Sequence, residues 1–230
     1  MVDVAANYRK VVERIQEAAA RRGRDPRGIK LLAASKSQSV DKIQAAIEAG
    51  IRLFGENYVQ EAQGKRAAIR ESVEWHMIGH LQRNKVKTAL DLFEMIQSLD
   101  SLELARELDK EGKKRGRVVR AFVEVNLGGE ETKSGIAREK IAALMGEIGK
   151  LPYIRIEGLM AVPPFRENPE EARPYFRALR ELQGELQRLK MPNVDLKELS
   201  MGMTHDYPVA IEEGATLVRI GTAIFGPRSE

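Results

Sequence analysis

The sequence predicts an α/β fold, a single (β/α)8 barrel with one extra helix in front of it. Three observations carry that reading. Eight short apolar runs alternate with stretches of helical periodicity, which implies parallel strands joined by right-handed crossovers. The 230 residues suit a one-domain barrel. No linker-like segment or composition break divides the chain, so residues 1–230 read as one domain, with a leading helix over 1–24 and the barrel over 29–226.

The leading helix rests on Val4, Tyr8, Val11, Val12, Ile15, Ala18 and Ala19, which recur at helical spacing until Gly23 and Asp25-Pro26 end the pattern. Strands are then expected at 29–34, 51–54, 74–78, 93–96, 118–125, 154–160, 196–200 and 216–220. A helix over 40–49 repeats Val40, Ile43 and Ile47 behind a Ser39 cap and stops at Gly50. Helices over 102–110, 136–148 and 174–189 follow the same logic. An open doubly wound sheet would need a glycine-rich turn after an early strand. The first strand runs instead into Ala33-Ala34-Ser35-Lys36-Ser37-Gln38, which has no glycine.

Composition narrows the function classes. Hydrophobic residues are 43%, charged residues 31% and aromatics 5% of the chain, so aliphatic side chains supply most of the core. The net charge of +4 is mixed with acids along helical stretches, and no aromatic residues interleave with a basic stripe, which argues against nucleic acid. A small anionic ligand fits the same charge. The absence of cysteine excludes disulfides and thiolate chemistry. Residues 1–10 lack the apolar core of a signal peptide and no run is long enough to span a membrane, so a cytoplasmic protein is expected.

Lys36 follows the first strand, at the barrel end where active sites lie. It reads either as a solvated charge or as a nucleophile. Ala33, Ala34, Ser35, Ser37 and Ser39 leave room for a planar ligand, and an amine among such neighbours is able to attack an aldehyde. Spacing alone does not decide between the two. The segments after strands seven and eight bear on the choice, because those loops commonly build a phosphate site in barrels. They contain Ser200, Gly202 and Thr204, then Arg219, Gly221 and Thr222. Glycines admit backbone N–H groups to phosphate oxygens and hydroxyls donate as well. Tight strand-to-helix turns are the plainer account. Arg219, on an otherwise apolar strand, needs a partner such as Glu56 or Glu61, or a ring nitrogen.

At this point the motifs resemble a known family. Ala34-Ser35-Lys36, FGENYVQE at 54–61, WHMIGHLQRNK at 75–85, KSGI at 133–136, GLMA at 158–161, SMGM at 200–203 and VRIGTAIFG at 218–226 occur in the order found in pyridoxal phosphate homeostasis proteins. These are single-domain relatives of the alanine racemase barrel, similar to the type III pyridoxal phosphate fold without its second domain. The resemblance implies pyridoxal phosphate as cofactor and Lys36 as its Schiff-base lysine. It further implies Ser200, Gly202, Gly221 and Thr222 around the phosphate, Arg219 beside the pyridine nitrogen and Asn57 along the ring. An arginine there keeps the ring nitrogen unprotonated and makes a poor electron sink. Thr204 stands where the family often has serine, and His80 where it often has proline.

Other candidates are weaker. His76 and His80 are interrupted by Gly79, and only His205 remains, so no metal site is expected. Glu56 and Glu61 read as ion-pair partners in the mouth rather than as an acid–base pair. Met160, Met201 and Met203 read as space fillers beside a flat ring. Lys133 is a second lysine able to take up an aldehyde, or a solvated one. Two functions follow. The first is a carrier, a monomer that holds pyridoxal phosphate and supplies it to apo-enzymes that depend on it. The alternative is a racemase, which needs acids or bases on both faces of the substrate. Only Tyr58 and Tyr207 stand available for the second face, so the sequence weighs against turnover.

Overall fold

The computed structural model describes residues 2–128 and 134–227. Eight strands form its barrel: β1 (Lys30–Ala34), β2 (Leu53–Glu56), β3 (Glu74–Met77), β4 (Met95–Leu99), β5 (Val119–Asn126), β6 (Ile154–Met160), β7 (Val194–Met203) and β8 (Leu217–Ile220). Neighbours pair in parallel, and β1–β8 and β4–β5 pairings close the ring. A two-residue strand, Ile136–Ala137, adds to the end of β5 outside the ring. Around it lie α1 (Val4–Ala20), α2 (Val40–Glu48), α3 (Val59–Ala68), α4 (Val86–Leu92), α5 (Leu102–Arg115), α6 (Arg138–Ile148), α7 (Arg173–Gln187), α8 (Tyr207–Glu212) and α9 (Thr222–Phe225). The predicted barrel is the observed one.

Several boundaries move for local reasons. The runs at 51–54 and 93–96 enter their strands two residues late. Ile51 N–H still bonds Ala46 O and Phe93 N–H bonds Ala89 O, so both apolar residues belong to the ends of the preceding helices. Helix α5 continues five residues past the expected end at 110. Its last turn carries Lys113, Lys114 and Arg115, which complement the helix dipole, and Gly116 in the left-handed region (φ 62°) stops it. Asp3, Ser39 and Ser101 cap α1, α2 and α5 through their side-chain oxygens. Helix α1 packs on α2, α8 and α9, and Arg24 ties its end to the carbonyls of Ile211 and Ala215. Among the described residues no helix is long and apolar enough to cross a membrane.

Apolar side chains fill two spaces. Most lie between the strands and the helices, where Phe54 and Trp75 stack with centroids 5.3 Å apart. A smaller cluster of Leu32, Met95, Phe122, Met160 and Leu217 plugs the barrel itself. Below the plug, ion pairs Lys30–Glu198 (2.5 Å), Arg120–Glu157 (2.9 Å) and Arg120–Glu74 (3.5 Å) cross the N-terminal end. Above it the interior turns polar, with Gln97, Ser200 and Arg219 all buried. Met160 belongs to the plug and Met201 to the outer core, and Met203 alone of the three lines the cavity described below.

Removing the centre of the plug should cost more than removing any rim side chain. Phe122→Ala is expected to lose about 3–5 kcal/mol of unfolding free energy, against about 0.5 kcal/mol or less for the half-exposed Val118→Ala. Urea denaturation of both variants measures the difference.

Candidate functional site

The C-terminal ends of the strands surround a cavity of 640 Å³. Lys36 reaches it from the turn between β1 and α2, and Asn57 from the turn after β2. Arg219, Gly221 and Thr222 enter from the end of β8. Those five of the seven residues singled out by sequence line one wall-to-wall space. Lys36 and Asn57 are half-buried. Gly79 allows the approach of the Asn57 turn, since a Cβ there would lie 2.5 Å from Asn57 O.

The other two, Ser200 and Gly202, stand behind the wall. Ser200 is fully buried, donates to Gln97 Oε1 (2.6 Å) and accepts from Arg219 Nη1 (2.6 Å). Its hydroxyl therefore joins Gln97 to the arginine, one layer below the cavity lining. Gly202 has φ of 91°, and a Cβ would sit 2.6 Å from Ala210 Cβ. Its lack of a side chain lets α8 pack against the end of β7. The hydroxyl that does face the cavity from this segment is that of Thr204, whose Oγ1 accepts from the N–H groups of Gly221 and Ala223, each at 3.3 Å. With Thr222 it makes an uncharged corner of hydroxyls and amides at the cavity edge.

Arg219 is the charge that this layer is built around. Its partners are not Glu56 or Glu61, as the sequence allowed, but Ser200 Oγ and Ala161 O (2.8 Å). Glu56 and Glu61 are held elsewhere, on Lys65. Burial lowers Arg219 to about 10, against the pull of Glu124 and Asp206, so it stays cationic at neutral pH. Ser200 in turn leans on Gln97, whose amide meets His76 Nδ1 at 2.7 Å. Glu124 lines the same cavity and is raised to about 7, chiefly by burial and then by Asp100, with Arg219 and His80 opposing.

Sequence reasoning missed Glu124, Gln97 and the Ala161 carbonyl. The signal for the first two is a polar side chain in an otherwise apolar strand, as in Phe122-Val123-Glu124-Val125 and Met95-Ile96-Gln97. His76 contacts Gln97 and Glu74, while His80, whose Nδ1 meets Asp100 at 2.9 Å, and His205, which meets Glu167 O, both line the cavity. Tyr58 points to solvent, 63% exposed, and Tyr207 is fully buried; neither lines the cavity. Lys133 lies outside the described residues.

Known proteins share this architecture and sequence. The family described as alanine racemase, N-terminal domain, matches residues 4–229. A pyridoxal phosphate homeostasis protein of Aquifex aeolicus is 49% identical over 220 residues, 95% of this chain and 96% of the relative. One from Pseudomonas aeruginosa is 42% identical over 229 residues, 99% and 97% of the two chains. The solved structure of PipY from Synechococcus elongatus, with pyridoxal phosphate bound, superposes with a TM-score of 0.82 at 36% identity, covering 94% of this chain and 100% of that one.

Glu124 makes stability depend on pH. A carboxyl raised on folding from 4.5 to about 7 binds a proton in the native state that the unfolded chain has already lost. Stability therefore falls as pH rises from about 4.5 to 7, by on the order of 3 kcal/mol from this group. Glu124→Gln should flatten that slope, so denaturant titrations at pH 5 and pH 8 should differ less in the variant than in the wild type.

Proposed function

The chain belongs to the alanine racemase N-terminal domain family, among the pyridoxal phosphate homeostasis proteins, and on that premise we propose that it holds pyridoxal phosphate as a Schiff base on Lys36. It acts in vitamin B6 homeostasis as a cytoplasmic monomer that supplies the cofactor to apo-enzymes. One observation carries the reading: a lysine and a hydroxyl–amide corner line one cavity at the C-terminal end of the barrel.

The residues present fit the group. Its phosphate is accommodated by Thr204, Thr222 and the backbone of Gly221, and Ser200 and Gly202 act from behind by holding Arg219 and the turn. Asn57 lies along the ring, and Arg219 faces the ring nitrogen as a donor that discourages its protonation. Bound pyridoxal phosphate supplies an aldehyde for amines and a ring that withdraws electrons. The Lys36 amine adds to the aldehyde carbon, and one water leaves with the aldehyde oxygen and the two amine hydrogens. Return of a water, or attack by another amine, frees Lys36 again. Reversible capture of this kind needs no second acid or base across the ring.

Racemising would need one on each face. Tyr58 and Tyr207, the residues considered for the second face, are respectively in solvent and in the outer core. Protein incubated with L-alanine in deuterium oxide should therefore exchange the α-proton no faster than free pyridoxal phosphate does. Fast exchange abolished by Lys36→Ala would establish the racemase reading instead.

The anchor and the phosphate corner are tested separately. Protein loaded with pyridoxal phosphate should absorb in the visible range and be trapped on Lys36 by borohydride, and both signals should vanish in Lys36→Ala. Thr204→Val should weaken pyridoxal phosphate binding by about tenfold, the loss of one hydrogen bond to a charged group, and leave pyridoxal without its phosphate nearly unaffected. Equal loss for both ligands would remove Thr204 from the phosphate.

A further inference from the structure

A second lysine, which lines no part of the cavity, sits beneath the first. Lys65 occupies the inward face of α3 between Val59, Ala62 and the barrel, with its side chain only 7% exposed. Its ammonium donates to three acceptors: Ser35 O (2.6 Å), Glu56 Oε1 (2.8 Å) and Glu61 Oε1 (2.5 Å). Glu56 also accepts from Ser35 Oγ (2.6 Å), and Glu61 accepts from Ser37 N–H (2.5 Å). The residues on both sides of Lys36 are thus tied to one buried cation, directly at Ser35 and through Glu61 at Ser37. The turn needs such ties. Ser37 has φ of 58°, a left-handed conformation that a serine keeps only when its surroundings impose it.

We propose that Lys65 is the positioning residue for Lys36, clamping the 35–37 turn through Ser35, Glu56 and Glu61 so that the Lys36 amine is aimed into the cavity. The inference rests on the reading of Lys36 as the Schiff-base lysine. The clamp touches neither the ring nor the phosphate; its effect is confined to where the amine stands when the aldehyde arrives. Positioning of this kind is worth much, because a displacement of an ångström removes a reacting pair from its productive distance.

Two variants and two ligands separate positioning from general damage. Lys65→Met removes the cation, and Glu61→Ala removes the strap to Ser37 together with one of the three acceptors of Lys65, at a side chain that is 25% exposed. Each is mixed with pyridoxal phosphate, and Schiff-base formation is followed by absorbance after mixing. Each is also titrated with pyridoxamine phosphate, which has the same ring and phosphate but no aldehyde. Both variants should form the Schiff base about tenfold or more slowly than wild type, while their affinity for pyridoxamine phosphate stays within about twofold. Wild-type rates in either variant overturn the proposal, and so does a parallel loss of pyridoxamine phosphate binding. If Lys65→Met does not fold, Glu61→Ala decides alone. If the wild-type protein itself forms no Schiff base at Lys36, the reading of the anchor has failed and the clamp has no object.

Discussion

The pairing of β1 with β8 is the constraint on which the site depends. Leu32 lies opposite Arg219 and Ala33 opposite Ile220, so the two strands run out at the same height. The turn carrying Lys36 then stands beside the turn carrying Gly221 and Thr222, although the two come from opposite ends of the chain. Ala34 O is 3.4 Å from where a Gly221 Cβ would be, which measures how close the two backbones come. A slip of one residue would turn Leu32 out of the barrel plug and carry Arg219 with its register partner to the wrong face. Packing of the plug and assembly of the cavity are therefore one requirement.

Above the plug the barrel has to accommodate a buried positive charge. A buried arginine is costly unless its donors are met and an opposite charge is near. Arg219 has Ser200 and Ala161 O for donors' partners, and Glu124 and Asp206 for charge. Glu124 is raised to about 7, chiefly by burial, so it is only partly ionised near neutral pH. Ser200 illustrates how the layer works: its hydroxyl donates to Gln97 and accepts from the guanidinium.

Much of this was legible in the sequence because it is periodic. The eight apolar runs and the helices α1, α2, α5, α6 and α7 follow from period and caps, and the motif order points to the cavity. Helices α4, α8 and α9 escaped because they span seven residues or fewer, too short for a period to register. Side-chain partners across the ring were hidden for a different reason. Nothing in the spacing tells that Arg219 meets Ala161 O, since that contact depends on barrel stagger. Glu124 and Gln97 left a visible trace as polar residues in apolar strands, yet their partners did not.

Helix α3 is the most instructive omission. Its buried stripe is Val59, Ala62 and Lys65, so the residue that breaks the apolar period is itself inside. A lysine bonded to two carboxylates in a protein interior is a poor route to stability, because apolar side chains of the same volume generally do as well or better. Glu56 sharpens the point: burial raises its pKa, and its Oε2 has no hydrogen-bond partner among the described residues. What the cluster does provide is direction. A methionine or leucine at 65 would fill the space but hold no carbonyl, whereas an ammonium with three fixed acceptors allows one arrangement of Ser35 and Ser37. The cost of burying these charges is thus best understood as the cost of specifying a single turn, the one that carries Lys36.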